Sequence, residues 1–250
     1  MCRHLAYVGP AVPLGQVLAR PEFCLVRQSW EPRRQGHGTV NADGFGVGWY
    51  AEGDPLPARY RRTGPVWADA GFTDLCRVVC SGGMLAAVRD ATDGCAGGEA
   101  AVAPFAADRW LFSHNGAVLG WPGSVADVAG AALSARELLG LEARTDAALA
   151  WALVLHRLRE GAPLAVAVAR VAAALARAAP ASRLNFLLTD GRAVAGTAVG
   201  ESLWYLARPK ESLTLASEPH DADPDWRQVP DGHVVAGDAA RLGLSRLEDL

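Results

Sequence analysis

The sequence predicts an α+β fold in which antiparallel sheets are layered with helices, and three observations carry that prediction. Strand-like segments fill both ends of the 250 residues, and two amphipathic helices follow one another between them. The connections between strands are short hairpin turns rather than helical crossovers. No internal repeat or low-complexity linker divides the chain, so residues 1–250 read as one domain.

Residues 2–8 (CRHLAYV) alternate loosely and predict a strand that holds the N-terminus in a sheet. A short helix fits residues 13–19, with Pro13 at its start. Residues 27–44 are rich in Gly, Pro, Arg and polar side chains and predict a long loop, a kind of segment that often carries function. GFGVGWYA (44–51) and ARYRRTG (58–64) read as two strands joined by the turn-rich EGDPLP, and MLAAVR (84–89) as a third. RWLFS (109–113) and GAVL (116–119) read as two more, separated by a tight turn at His114 and Asn115. From Asp146 to Glu160 and from Pro163 to Ala178, apolar residues recur at three- and four-residue spacing, so two helices are expected, with Thr145 or Asp146 capping the first. Strand signals return at 183–190, 192–199, 202–208, 212–218 and 233–237, and Asp190-Gly191 between the first two is a hairpin signal.

Composition excludes several classes of function. The 24 cations are dispersed and outnumbered by 27 anions, which argues against a nucleic-acid partner. No apolar run reaches the ~18–20 residues needed to span a bilayer, and the first fifteen residues lack the pattern of a signal peptide, so a cytoplasmic protein is expected. Five scattered cysteines with no CxxC pair argue against a structural zinc site. Cys76 and Cys80, at i, i+4, could share a helix face or be buried free thiols. Nothing in the sequence sets an oligomeric state.

Five positions carry candidate chemistry. Cys2 follows the initiator methionine, which aminopeptidases remove when the next side chain is small. A terminal cysteine would hold an α-amine (pKa about 7.7–8.0) beside a thiol (about 8.5), a base and a nucleophile in one residue. A cysteine at position two is also a common accident. The alternating glycines of NADGFGVGWY (41–50) fit a strand closely approached by a neighbour, and no helix follows to make a dinucleotide fingerprint. Arg89 ends an apolar strand, either as a surface cation or as a fork for a carboxylate. Asn115-Gly116 is first of all a turn, yet an Asn NH2 and a backbone N–H can be aimed at one oxyanion. Asp146 reads as a helix N-cap or as a fixed anion.

In order along the chain, Cys2, RQSW, NADGFGVGWY, VRDAT, SHNG, TD and LASEPHDADPDW (215–226) resemble the class II glutamine amidotransferases, a family of N-terminal nucleophile hydrolases. The resemblance covers nearly the whole chain and implies a four-layer αββα sandwich of two antiparallel sheets. It is nearest to stand-alone members that are γ-glutamyl amide hydrolases of ergothioneine biosynthesis, releasing glutamate from a γ-glutamyl-cysteinyl hercynine sulfoxide. It implies Cys2 as nucleophile with its own α-amine as base, and Asn115 and Gly116 as the oxyanion hole. Arg89 would grip the glutamyl α-carboxylate and Asp146 the α-ammonium, with Thr92 among the substrate-binding residues. Trp30, in the long loop, is the aromatic expected to meet the trimethylammonium of hercynine. Most of the eight tryptophans read as core. Asp90 and Asp93 stand where ammonia-channelling members carry an aromatic residue and a histidine. The resemblance implies a small-molecule partner and neither metal nor cofactor. Two other readings stay open: a glutaminase subunit delivering ammonia to a separate synthase, and a noncatalytic binding protein on the same scaffold.

Overall fold

The computed structural model describes residues 2–36, 38, 40–91 and 97–250. Strand β1 (Arg3–Pro13) leads into α1 (Leu14–Leu18) and α2 (Leu25–Gln28), and after a long loop come β2 (Gly44–Tyr50) and β3 (Pro57–Arg62). Helix α3 (Ala70–Val78) precedes β4 (Cys80–Arg89), and β5 (Phe105–Ala107) precedes β6 (Trp110–Ala117). The helical middle comprises α4 (Ala126–Ala132), α5 (Ala135–Leu139), α6 (Asp146–Arg159) and α7 (Leu164–Ala178). The chain closes with β7 (Arg183–Thr189), β8 (Val194–Ala198), β9 (Trp204–Arg208), β10 (Ser212–Ala216), β11 (Arg227–Gln228), β12 (His233–Gly237) and β13 (Leu242–Arg246).

The strands form two sheets, and every pairing is antiparallel. One has the order β11-β9-β10-β1-β4-β2-β3, the other β13-β12-β8-β7-β6-β5. Alternation along each strand divides the side chains between two layers. Leu5 and Tyr7 of β1 point outward with Leu14, Leu18, Phe72 and Cys76 of α1 and α3. Ala6 and Val8 point inward and meet Leu111, Leu187 and Val235 of the second sheet. The far face of that sheet, with Phe112, Phe186 and Ala195, is covered by α6 and α7. Phe112 stacks on Trp151 at 5.4 Å, a contact worth about 0.5–1.5 kcal/mol beyond its area. The result is the expected four-layer αββα sandwich. Among the described residues, no helix is long and apolar enough to cross a membrane.

The alternating glycines have a geometric reason. Phe45 and Val47 of β2 face the outer layer, so Gly44, Gly46 and Gly48 face inward. There residues 102–104 and Leu111 press against the bare backbone: a Cβ at Gly44 would lie 2.7 Å from Val102, one at Gly48 2.7 Å from Leu111, and one at Gly46 would collide with the Ala103 carbonyl.

One predicted feature is overturned. There is no turn at His114 and Asn115: β6 runs unbroken through both, pairing Asn115 with Asn185 and Gly116 with Leu184. An Asn-Gly pair loses its turn preference where the side chain is fully buried between strands, as Asn115 is. Helices α2, α3, α4 and α5 and strands β5, β11 and β13 escaped the periodicity reading, all but α3 being seven residues or fewer. Cys76 and Cys80 do not share a helix face, since Cys76 is buried in α3 and Cys80 is exposed at the start of β4. Cys95 lies outside the described residues.

Replacing Gly46 with alanine forces the Ala103 carbonyl away and should destabilise the protein by roughly 1–3 kcal/mol, the usual cost of overpacking. Urea denaturation measures it, and an unchanged midpoint would refute the close-approach explanation.

Candidate active site

The start of β1 and the end of β4 lie side by side, because the register sets Arg3 opposite Val88. That pairing carries Cys2 and Arg89 to adjoining positions, and the Cys2 sulfur lies 4.0 Å from the Asp90 carbonyl oxygen. The corner after Arg89 is fastened by Asp43 of the NADG segment: its backbone N–H donates to the Arg89 carbonyl (2.9 Å) and its carboxylate accepts from Ala91 N–H (2.7 Å).

The facing wall comes from the second sheet and its helices. Gly116 has φ +150°, and a Cβ there would collide with the Arg183 carbonyl, so only glycine fits. Thr145 is the N-cap of α6, its hydroxyl accepting from Ala148 N–H, which makes Asp146 the first helical residue. The buried Asp146 carboxylate accepts 2.9 Å and 2.8 Å hydrogen bonds from Val118 N–H and Ala147 N–H. These two bonds fix the orientation of the carboxylate.

These elements enclose a cavity with about 520 Å³ of empty space, counting its open mouth. Cys2, Arg89, Asp90, His114, Gly116, Thr145 and Asp146 line it, together with apolar residues of the 101–105 segment. Residues separated by up to 144 positions therefore meet at one place. Asn115 stands behind this lining. It is fully buried between the sheets, and its Nδ2 donates to the Ser217 hydroxyl at 3.3 Å. The half-exposed Trp30 is not among the lining residues, and its ring packs edge-on to Trp67 at 5.7 Å. Thr92 and Asp93 lie outside the described residues. The sequence reading missed the 101–105 wall, although the glycines of β2 signal that some segment must press on them. It also gave no role to Ser217.

Burial pushes the Cys2 thiol above its usual range, while the amino terminus and the Arg89 guanidinium draw it back. A thiol in this position needs a base to become a nucleophile at neutral pH. Among the described residues, no group of three or more His, Cys, Asp or Glu is placed to hold a metal ion.

Next to Cys2, His4 is fully buried, sharing a 3.1 Å hydrogen bond between its Nδ1 and the Ser113 hydroxyl. Burial, with the charges of Arg3 and His114, pushes its imidazole well below the ordinary value of 6.5. His220 is also lowered, burial outweighing the Asp221 carboxylate. In the unfolded chain both take up a proton near pH 6.5, which the folded state resists. Stability from these two groups is therefore complete above about pH 6.5 and is lost as the pH falls. Urea titrations from about pH 7.5 to 5.5 should show unfolding free energy declining by at most about 1.4 kcal/mol per pH unit for each histidine. His4→Gln should flatten the profile, and a wild-type profile already flat would refute the assignment.

Comparison with known proteins adds an independent line. A family model described as glutamine amidotransferases class-II matches residues 17–230. A Mycolicibacterium smegmatis protein named gamma-glutamyl-hercynylcysteine sulfoxide hydrolase is 37% identical over 235 residues, 94% of this chain and 95% of that protein. Among solved structures, a glutamine aminotransferase class-II domain protein from Silicibacter pomeroyi superposes with a TM-score of 0.69 at 26% identity, covering 98% of this chain and 99% of its own. Glutamine phosphoribosylpyrophosphate amidotransferase from B. subtilis gives a TM-score of 0.67 at 15% identity, covering 98% of this chain and 49% of its own, a likeness of fold.

Proposed function

The chain belongs to the class II glutamine amidotransferases, and we propose that it is an N-terminal-cysteine γ-glutamyl amide hydrolase that releases glutamate from γ-glutamyl-hercynylcysteine sulfoxide in ergothioneine biosynthesis. The observation that carries this reading is the meeting of Cys2, Arg89, Gly116 and Asp146 in one cavity. A γ-glutamyl group presents an α-carboxylate and an α-ammonium at one end and its amide several bonds away. One fixed cation and one fixed anion beside a nucleophile suit that shape. The name of the M. smegmatis relative supports the leaving group.

Removal of Met1 makes the Cys2 α-amine terminal. Arg89 holds the α-carboxylate of the substrate and Asp146 its α-ammonium, which sets the γ-carbonyl beside the sulfur. The amine takes the thiol proton, and the thiolate attacks the carbonyl carbon. The oxyanion accepts hydrogen bonds from the Asn115 carboxamide and the Gly116 N–H; losing one such donor costs about 2.7–4 kcal/mol in the barrier. Collapse breaks the C–N bond while the Cys2 ammonium gives its proton to the departing amine. Water, deprotonated by the same amine, then attacks the γ-glutamyl thioester and releases glutamate, restoring the thiol. The free thiols Cys2, Cys24, Cys76 and Cys80 accord with a reducing compartment, and the proposal places the reaction in the cytoplasm.

Turnover of γ-glutamyl-hercynylcysteine sulfoxide, followed as free glutamate, should exceed turnover of glutamine followed as ammonia. A preference for glutamine would overturn the reading in favour of an ammonia donor. Intact-mass measurement should find Met1 absent. Cys2→Ala should abolish hydrolysis, whereas Cys24→Ala, outside the cavity, should retain it. Arg89→Met and Asp146→Asn should each lower kcat/KM roughly ten- to hundredfold, since a hydrogen bond to a charged group contributes about 1.5–3 kcal/mol. Full activity in either variant would remove that residue from the site.

A further inference from the structure

The LASEP segment ends at a polar junction between the two sheets that the reaction scheme leaves unused. Ser217 directly follows β10, and its backbone N–H continues the ladder by donating to the His4 carbonyl at 3.0 Å. Its side chain is fully buried. There the hydroxyl accepts the His4 N–H of the first sheet at 3.0 Å and the Asn115 Nδ2 of the second at 3.3 Å. The Ser217 carbonyl is held in turn by the Ser202 hydroxyl at 2.7 Å. Ser217 is thus fixed on three sides, and its oxygen is fixed with it.

We propose that Ser217 is a positioning residue that sets the orientation of the Asn115 carboxamide for the developing oxyanion. The inference rests on the reading of Asn115 as an oxyanion donor. A carboxamide NH2 carries two hydrogens. Ser217 takes one, which fixes the amide plane and leaves the second for the oxyanion. Without that anchor the amide would rotate about its last torsion, a broad and weakly restrained one. Oxyanion stabilisation depends on donors already aligned before charge develops, so a free rotor loses part of its effect in the transition state. Substrate binding depends on Arg89 and Asp146 and would be untouched. The anchor works because Ser217 itself is tied to His4, two residues from the nucleophile: the same hydroxyl registers Asn115 against Cys2.

The test is a double-mutant cycle on the full-length chain with γ-glutamyl-hercynylcysteine sulfoxide. Asn115→Ala should lower kcat roughly 100-fold or more. Ser217→Ala should lower kcat about tenfold with KM within about twofold, because an interaction made only in the transition state is being weakened. In the Asn115→Ala background, Ser217→Ala should cost nothing further. Ser217→Cys, close in volume and a weak acceptor, should fall between wild type and Ser217→Ala, and it serves if the alanine variant fails to fold. An equal loss of kcat from the Ser217 substitution in both backgrounds would show that Ser217 acts through the strand and not through Asn115, overturning the inference. An unchanged kcat in Ser217→Ala or Ser217→Cys, with Asn115→Ala still crippled, would overturn it while sparing the functional reading. An unchanged kcat in Asn115→Ala would end the reading itself and the inference with it.

Discussion

Two sheets that pack face to face can share an apolar layer along only part of their length if a polar site is to open between them, and the boundary where that layer stops governs this molecule. Ala6, Val8, Leu85 and Leu111 fill the layer, and beyond them the inward positions become His4, Ser113, Asn115 and Ser217, all buried. A buried polar group without a partner costs several kcal/mol, so these side chains must satisfy one another across the gap. They bond in pairs that each cross from sheet to sheet, His4 to Ser113 and Asn115 to Ser217, while His4 Nε2 and Asn115 Oδ1 are buried without a hydrogen-bond partner among the described residues. The cavity lies beside that boundary.

The same end of the sandwich buries a full charge. Arg3, fully enclosed, donates from Nε to the Cys2 carbonyl at 2.8 Å and has the Glu201 carboxylate 3.7 Å away, and Glu201 in turn lies 3.6 Å from the Arg183 guanidinium. Burial pulls the guanidinium down, and Glu201 and Glu218 hold it charged. A buried charge stripped of its partner typically costs about 3–5 kcal/mol. The loops bearing Glu201 and Glu218 therefore stabilise the seating of the N-terminal strand. Glu218 in turn accepts the backbone N–H groups of Arg33 and Arg34, which ties the long loop after α2 to the same end. Asn185 adds a further strap, its Nδ2 donating to the Glu201 and Ser202 carbonyls.

The sequence discloses this architecture unevenly, for physical reasons. The layering of antiparallel sheets with helices was legible because alternating strands and two long amphipathic helices carry their burial in their periodicity, while the αββα order was implied only by the family resemblance; α6 and α7 lie within one residue of the expected boundaries. Arg89 and Asp146 were legible as residue types at element ends. The continuous strand through Asn115 was not, because local propensity marks Asn-Gly as a turn and only long-range pairing with β7 overrules it. The wall formed by residues 101–105 was not, because nothing local tells which segment the bare face of β2 receives. Ser217 could be read as part of a family pattern, yet its role depends on two partners, 102 and 213 positions away.

Under the proposed function, this arrangement has a consequence for selectivity. Arg89 belongs to the first sheet, while Asp146 opens the first helix of the layer beyond the second. A ligand engaging both spans the opening between the sheets, and its own backbone charges complete an ion-pair chain from one layer to the other. A substrate lacking either the α-carboxylate or the α-ammonium leaves one protein charge with only its structural partners in a partly enclosed site, where electrostatic terms exceed those in water. Discrimination against ordinary peptide amides then comes from what the wrong substrate fails to satisfy, and the nucleophile itself need make no choice. That division of labour fits Cys2 lying at the junction of the two walls, fixed by main-chain pairing to the wall that bears Arg89.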